Sequence, residues 1–247
     1  MTVCAGMTVY LFGRICYKNP HIKSLTGTDS MASPQKKPDS AAPKRPALRR
    51  YFFDTEFCDE PEKFRCELIS IGIVSEKNGK KADEYYGISN EFNLNAAKKQ
   101  DWLQEHVLDK LDDPSTWKNL DEIRKGVLDM FEPADKIELW ARNGSHDNVL
   151  ICQLFGGMGE FFTLLQEQKN IGRVEFRDIN ELKREAGKKG LKLPRLPDKD
   201  AHIAINDARH ELVCYKFLKN ALRQKSNPHP APDRNRNHNR KRKGRQP

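Results

Sequence analysis

Apolar segments with strand-like composition in the first part of residues 49–223, called the central region, predict β-strands. Three runs rich in aromatic and β-branched residues are separated by polar turns, of which Asn78-Gly79 is one. These runs cover residues 50–57, 67–75 and 84–89. Because their connections are short, we expect consecutive strands to pair antiparallel, as a meander.

Farther along the chain, apolar residues recur at helical spacing and two more strand-like runs follow. Ile123, Val127 and Phe131, for example, lie on one face of a helix. The predicted order is helices at 96–111 and 120–131, a strand at 136–141, a helix at 146–154, a strand at 172–176, and helices at 180–186 and 204–222. A meander followed by alternating helices and strands predicts an α/β fold, with a mixed five-stranded sheet flanked by helices.

Two flanking segments differ from this central region in composition. Residues 26–48 are rich in Pro, Ser, Ala and Lys, and the C-terminal segment is rich in Asn, Arg and Lys, so neither is expected to form a core. The sequence therefore predicts a disordered basic leader at 1–48, one catalytic domain at 49–223 and a disordered basic tail at 224–247. Internal methionines in the leader leave a later start of the chain open.

The formal net charge of +9 is distributed unevenly along the chain. Residues 1–50 and residues 224–247 carry +7 each, which leaves −5 for residues 51–223. Basic arms attract a polyanion such as nucleic acid. The cluster at residues 240–243 would neutralise backbone phosphates without sequence preference, and a solubilising tail is the alternative.

The cysteines and the apolar runs bear on the compartment. Six cysteines form no CxxC pair and have no Cys/His spacing suited to zinc, so we expect reduced, structural thiols. No apolar run approaches the roughly 20 residues of a membrane helix, and the short apolar run at 5–13 has no basic residue before it. A cytoplasmic protein with no membrane partner is the expectation.

Two acids, Asp54 and Glu56, lie inside an otherwise apolar strand-like segment. Strand side chains alternate, so both acids project to the same side. Burying them is costly unless a cation neutralises them, and the segment from Phe53 to Phe57 holds no lysine or arginine. Such hard oxygen ligands suit Mg²⁺ or Mn²⁺. The alternative is that the sheet edge leaves both carboxylates in water.

Three further residues complete a candidate site. Asp147 stands at a helix start, where aspartate also commonly caps backbone amides. His202 and Asp207 are five residues apart, about 500° of helical rotation, so they cannot share a helical face. We therefore expect His202 in the loop before the last helix and Asp207 in the first turns of that helix. An exposed or capping histidine is the alternative for His202.

Together these residue types are what two-metal hydrolysis of a phosphodiester requires. The predicted metal ligands are Asp54, Glu56, Asp147 and Asp207. A neutral His202, with a pKa near the working pH, is the predicted general base that takes a proton from the attacking water.

The motifs resemble those of a known family. Asp54-x-Glu56, Asp147 and His202-x4-Asp207 resemble the three exonuclease motifs of the histidine-bearing DEDD branch, which has a ribonuclease H-like fold. The segments FFDTEF, ELISIGIVSE, HDNVLICQLFGGM and LPRLPDKDAHIAINDAR are similar to the small bacterial Rv2179c-like 3′→5′ exoribonucleases, over about residues 50–220. One departure is His146, where these enzymes commonly have an aromatic residue before the motif's aspartate.

The resemblance implies an activity and a set of partners. It implies metal-dependent removal of nucleoside 5′-monophosphates from an RNA with a single-stranded 3′ end, with two Mg²⁺ or Mn²⁺ ions per site. The resemblance is also compatible with a homodimer. The same resemblance implies the four ligand roles and the general-base role named above.

Weaker candidates for substrate binding surround these residues. Thr55 and Phe57 are predicted to bracket the terminal nucleotide, because aromatic side chains stack on bases of any sequence. Core packing is the alternative for Phe57. Gln153 and Arg209 are predicted to reach a phosphate or base, although helix packing and surface solvation explain them as well.

Two other functions stay open at this stage. A DNA exonuclease of the same fold is the first, because no residue identified here reports a contact to the 2′-hydroxyl. A non-catalytic nucleic-acid-binding module is the second. Such a module would be expected to lack one of the five motif residues, and all five are present.

Overall fold

The structure is a computed structural model that describes residues 46–60, 65–77, 81–187 and 191–226. The predicted leader, apart from its last three residues, lies outside the described residues. The predicted tail beyond Ser226 lies outside them too, as do Cys4 and Cys16.

Five strands and seven α-helices make up the described part of the chain. The strands are β1 (Leu48–Glu60), β2 (Arg65–Ser75), β3 (Glu84–Ile88), β4 (Lys136–Ala141) and β5 (Val174–Asp178). The helices are α1 (Leu94–Ala97), α2 (Asp101–His106), α3 (Leu120–Met130), α4 (Ser145–Leu154), α5 (Met158–Lys169), α6 (Ile179–Ala186) and α7 (Ala204–Ser226). Short 3₁₀ helices lie at Leu108–Lys110 and Pro114–Thr116.

The strands form one mixed sheet in the order β3-β2-β1-β4-β5. The pairs β1/β2 and β2/β3 are antiparallel, and β1/β4 and β4/β5 are parallel. Both parallel pairs are joined by crossovers that carry helices, which parallel pairing requires. The predicted α/β fold, with a mixed five-stranded sheet that begins with an antiparallel meander and is flanked by helices, is confirmed.

Side-chain alternation along β1 divides the hydrophobic core into two layers. Phe53 packs in the layer beneath α3, α4 and α5, with Ile123, Ile151 and Phe161. Phe52 points to the other face and packs with residues of α6 and α7. Asp54 and Glu56 follow the parity of Phe52, so the two acids lie on the α7 face of the sheet.

The start of α7 sits directly on β2 because Gly72 has no side chain. A Cβ added to Gly72 would lie 2.4 Å from the carbonyl carbon of Ala204 and from the Cα of Ile205. Gly72 is also the antiparallel partner of Asp54 in β1. This close approach therefore places the first turn of α7 beside the two acids of β1.

The helix predicted at 96–111 is interrupted in the structure. Residues 94–97, 101–106 and 108–110 form separate turns, and Gln100 between them has an extended backbone. Its side-chain amide donates to the Asp59 carbonyl oxygen at 3.1 Å, a contact with β1 that a continuous helix would not present. The break lets Ala97, Leu103 and Val107 bury together against Cys58 of β1.

Helix α5 has no counterpart in the sequence prediction. It follows the Gly156-Gly157 turn, and it buries Phe161 and Leu165, which are one helical turn apart. The i, i+4 spacing of these two apolar residues was the sequence signal that could have predicted α5. Strand β5 begins two residues later than the strand predicted at 172–176. Helix α7 continues past the predicted end at residue 222 to Ser226.

Two further observations concern the thiols and the helices. The four described cysteines, Cys58, Cys66, Cys152 and Cys214, are free thiols. Within the described ranges, no single helix is both long and apolar enough to cross a membrane. Helices α4 and α5 reach that composition only when joined across a 64° bend.

Candidate active site

Three of the predicted ligands meet on the α7 face of the sheet. Asp54 and Glu56 come from β1, and Asp207 comes from the first turn of α7. One carboxylate oxygen of each lies within 4.8 Å of the other two. Glu56 is buried, and Asp54 and Asp207 are partly buried. Strand alternation paired Asp54 with Glu56 in the sequence analysis, and the structure brings Asp207 to the same cluster.

Asp147 approaches the cluster from the other side of β1. Its Oδ1 accepts a hydrogen bond from the backbone N–H of Thr55 at 2.9 Å and another from the Thr55 hydroxyl at 2.6 Å. Asp147 and Thr55 are both buried. The Thr55 hydroxyl, predicted to touch a nucleotide, therefore orients the Asp147 carboxylate in this structure.

His202 occupies the loop position that the spacing predicted, two residues before α7. Its Nδ1 lies 3.8 Å from Oε1 of Glu56, and its side chain is partly exposed. Its φ of 61° is in the left-handed region, which histidine adopts more often than most residues. Such a conformation persists only where its surroundings impose it, and it is most frequent at functional sites.

Burial raises the pKa of every acid at the site, and repulsion from neighbouring acids adds to this for Asp54 and Glu56. Burial, with Glu211 and Asp147 adding negative charge, raises the pKa of Asp54 well above its usual range. Burial, with Asp207 and Asp147 nearby, raises the pKa of Glu56 to about 8. Burial also raises the pKa of Asp207 and of Asp147. A site that destabilises its own carboxylates in this way is suited to binding a cation.

Glu211 is a fifth buried acid that sequence reasoning missed. It lies on α7 one turn after Asp207, and only 3% of its surface is exposed. Its Oε1 accepts a hydrogen bond from the Arg142 backbone at 2.9 Å, while its buried Oε2 has no partner among the described residues. Burial, and then the charge of Asp147, raise the pKa of Glu211 well above its usual range. The i, i+4 spacing from Asp207 was the signal that could have found it.

The candidate substrate-binding residues are spread around the cluster. The Phe57 ring stacks on the ring of His146, the position at which the sequence departed from the resemblance, with centroids 5.0 Å apart. Gln153 is exposed and lines a cavity of about 200 Å³ beside β2. The Arg209 guanidinium is paired with Glu84 of β3 at 2.6 Å. Their roles toward a substrate stay predictions.

The acid cluster leads to a prediction about stability and pH in EDTA. A carboxyl group whose pKa is raised by folding holds a proton that the unfolded chain releases, so stability is lost as pH rises. The stability contributed by the proton on Glu56 begins to be lost near pH 4.5, the ordinary pKa of a glutamate. The loss is complete above about pH 8. At about 1.4 kcal/mol per pH unit, this shift corresponds to roughly 5 kcal/mol. We expect the melting temperature to fall across this window.

The measurement is thermal unfolding between pH 4.5 and 8.5, compared with Glu56→Gln, which cannot lose that proton. The variant should show a shallower decline. Saturating Mg²⁺ or Mn²⁺ should restore stability at high pH, by about 2.7 kcal/mol at a hundred times the dissociation constant. A wild-type curve that matches the variant in EDTA contradicts this account of the cluster.

Comparisons with known proteins agree with these observations. Residues 49–218 match the 3′-5′ exoribonuclease Rv2179c-like domain. The 3′-5′ exoribonuclease Rv2179c of Mycobacterium tuberculosis (strain H37Rv) is 36% identical over 175 residues, which are 68% of this chain and 92% of that protein. The 3′-5′ exoribonuclease MT2234.1 of M. tuberculosis (strain CDC 1551) has the same identity and coverage.

More distant similarities are to solved structures of exonuclease I. The E. coli exonuclease I–ssDNA complex in its zinc-bound form has a TM-score of 0.48 and 12% identity. That similarity covers 72% of this chain, which spans only 41% of the exonuclease I chain. Exonuclease I from Methylocaldum szegediense has a TM-score of 0.47 at 12% identity, and it covers 74% and 42% of the two chains. From the match over residues 49–218 and the 36% identity, the chain belongs to the Rv2179c-like 3′-5′ exoribonuclease domain family.

Proposed function

We propose that this chain is a metal-dependent 3′→5′ exoribonuclease that releases nucleoside 5′-monophosphates from RNA. The observation that carries the proposal is the cluster of Asp54, Glu56 and Asp207, whose carboxylate oxygens lie within 4.8 Å of one another. Family membership supplies the reaction class, since the two M. tuberculosis relatives are named 3′-5′ exoribonucleases.

The residues of the cluster fit a divalent cation. All of the donors are carboxylates, which suit Mg²⁺ or Mn²⁺, and the buried Oδ2 of Asp207 has no hydrogen-bond partner among the described residues. Asp54, Glu56, Asp207 and Asp147 would hold two ions. When bound, such ions stabilise the charge that develops on the phosphate and on the departing 3′-oxygen. Thr55 keeps Asp147 oriented through its two hydrogen bonds.

His202 supplies the proton acceptor in this proposal. Burial, with smaller contributions from Lys110 and His106, lowers the pKa of His202 from its usual 6.5, and nearby Asp207 offsets part of this shift. The imidazole is therefore neutral at pH 7 and able to accept a proton from the attacking water. The Lys110 ammonium donates to the carbonyl oxygens of Asp198 and Ala201, which fixes the loop that carries His202.

The substrate-binding residues complete the proposal. The stacked Phe57 and His146 rings offer an aromatic surface beside the cluster, and Gln153 lines the cavity beside β2. An Arg209 that binds a phosphate must first exchange its ion pair with Glu84. A homodimer and a reducing, cytoplasmic compartment also belong to the proposal, and the four free thiols of the described residues support the compartment.

Digestion of matched oligonucleotides tests the proposal. RNA and DNA of one sequence, each labelled at the 5′ end, are incubated with Mg²⁺ or Mn²⁺ and with EDTA. The expected result is a ladder that shortens RNA from its 3′ end and disappears in EDTA. Faster shortening of DNA would replace the proposal with the DNA exonuclease, and no shortening of either would favour a non-catalytic binding module.

The basic tail gives a further prediction. Removal of residues 227–247 leaves the whole of α7 and deletes seven Lys and Arg residues. If the tail binds phosphates, RNA affinity should fall, and the slope of log K against log salt should become shallower by about 0.7 for each phosphate that is no longer neutralised. Affinity is measured at several salt concentrations, with a full-length chain carrying Gln at those seven positions as the control. A salt slope that neither variant changes would mean that the tail only solubilises the protein.

A further inference from the structure

Trp102 is the most exposed of the large aromatic side chains in the described part of the chain. It lies on α2, and 51% of its surface is exposed, compared with 37% for Phe217, the next such residue. A ligand that covers an exposed indole removes apolar surface from water, which favours binding. Trp102 plays no part in the three hydrophobic clusters of the core.

The indole is held by the residue one helical turn later. The His106 ring stacks on the Trp102 ring, with centroids 4.9 Å apart and planes 6° from parallel. Nδ1 of His106 lies 3.1 Å from the Trp102 carbonyl oxygen, which fixes the histidine in turn. The His106 ring covers part of the indole, yet 51% of the Trp102 surface remains exposed, so an ordered aromatic surface is available to a ligand. Binding there costs little side-chain entropy.

The same indole touches the proposed general base. The His202 ring meets the Trp102 ring edge to face, with centroids 4.9 Å apart and planes at 79°. His202 in turn lies 3.8 Å from Glu56 of the acid cluster. The exposed indole is therefore separated from the acid cluster by the single side chain of His202.

The segment from Trp102 to Lys110 is anchored near both of its ends to elements that carry the active-site residues. Leu103 is buried against β1, the strand that carries Asp54 and Glu56. At the other end, Lys110 donates to two carbonyl oxygens of the loop before His202. The indole and the general base are thus fixed relative to each other and to the cluster.

We propose that Trp102 is a stacking platform for a nucleobase next to the scissile phosphate. The proposal rests on the nuclease function proposed above and names a substrate-binding residue for it. Every base has a flat π-face, so an indole in this position recognises nucleic acid without selecting a sequence. In this proposal the indole acts by binding the substrate, and positioning of His202 is the alternative that the kinetics below distinguish.

Kinetics with Trp102→Ala and Trp102→Phe measure the effect. Loss of one stacked base is expected to raise KM roughly tenfold to a hundredfold in Trp102→Ala. Trp102→Phe should recover most of this loss, and kcat should change less than about threefold in both, because a ring that only binds substrate contributes little to kcat. Phe217→Ala is the matched control, an exposed aromatic residue ten positions after Asp207 on α7, and it should leave KM unchanged.

A second readout reports stacking directly. Indole fluorescence is titrated with RNA whose 3′-terminal linkages are hydrolysis-resistant phosphorothioates, in the presence of Mg²⁺. Quenching is expected in the wild type and absent in Trp102→Phe, which retains the less exposed Trp117 and Trp140. RNA with an abasic residue at the last or second-last position should bind the wild type more weakly, and at one of these positions the loss should vanish in Trp102→Ala.

The outcomes separate the two proposals. If the wild type shortens RNA but RNA quenches the fluorescence of Trp102→Phe as strongly as that of the wild type, the stacking proposal is wrong. The nuclease proposal then stands. If Trp102→Ala lowers kcat and leaves KM unchanged, the indole only positions His202, and the platform is again wrong. If the wild type shortens no oligonucleotide while RNA or DNA still quenches the fluorescence of Trp102, the nuclease proposal is wrong. Stacking of a nucleobase on Trp102 then stands.

Discussion

Replacing Asp54 by asparagine is expected to abolish RNA hydrolysis and, in EDTA, to stabilise the fold. Asp54 lies among four other acids, and burial together with their charges raises its pKa well above the usual range. Asparagine has nearly the same shape but no charge, so the variant loses a ligand and relieves the repulsion. We expect the rate to fall by roughly a thousandfold or more, at least as much as loss of one transition-state donor costs.

Activity, metal binding and stability are measured on the same preparations. Mn²⁺ affinity by calorimetry should weaken in Asp54→Asn, and the melting temperature in EDTA at pH 8 should rise, by about 2 to 4 °C for each kcal/mol of repulsion relieved. Asp59→Asn is the matched control, because Asp59 lies on the same strand and is exposed. Hydrolysis that survives in Asp54→Asn would refute the metal assignment, and a lower melting temperature in EDTA would refute the repulsion.

Replacing His202 is expected to slow hydrolysis about a hundredfold to ten-thousandfold, which is the usual contribution of a general base. Metal affinity should stay the same, because the carboxylate cluster does not include this histidine. His202→Asn is the preferred variant. Its side chain cannot accept the proton effectively, yet asparagine tolerates the left-handed backbone at φ 61° that alanine would strain.

Single-turnover rates and Mn²⁺ calorimetry distinguish the two roles open to this histidine. A large fall in rate at unchanged metal affinity supports the general base. Weaker Mn²⁺ binding in His202→Asn would instead make His202 a metal ligand. His202→Ala, made alongside, separates backbone strain from proton transfer, because a lower melting temperature in that variant alone reports strain.

Local pattern determined most of the secondary structure. Strand 136–141 was predicted with the bounds that the structure has, because Ile137, Leu139 and Trp140 form a short run between polar, turn-forming segments. The prediction of one continuous helix at 96–111 was wrong. There the hydrogen bond from Gln100 to Asp59 of β1 and the burial of Leu103 outweigh helical propensity, and no local pattern reports a contact over some forty residues.

The candidate site divides in the same way. By itself the sequence determined that Asp54 and Glu56 share one side of a strand, and that His202 precedes the helix that carries Asp207. Both conclusions follow from the periods of the strand and the helix, which are properties of the backbone.

Only the tertiary structure decided which side chains meet. Gly72 allows α7 to approach the sheet at Asp54, Thr55 orients Asp147 from the opposite face, and Glu211 adds a fifth buried acid. Trp102 reaches His202 from a helix about a hundred residues earlier in the chain. These contacts depend on how separate elements pack, and packing depends on the shapes of both partners, so neither segment of sequence contains the information alone.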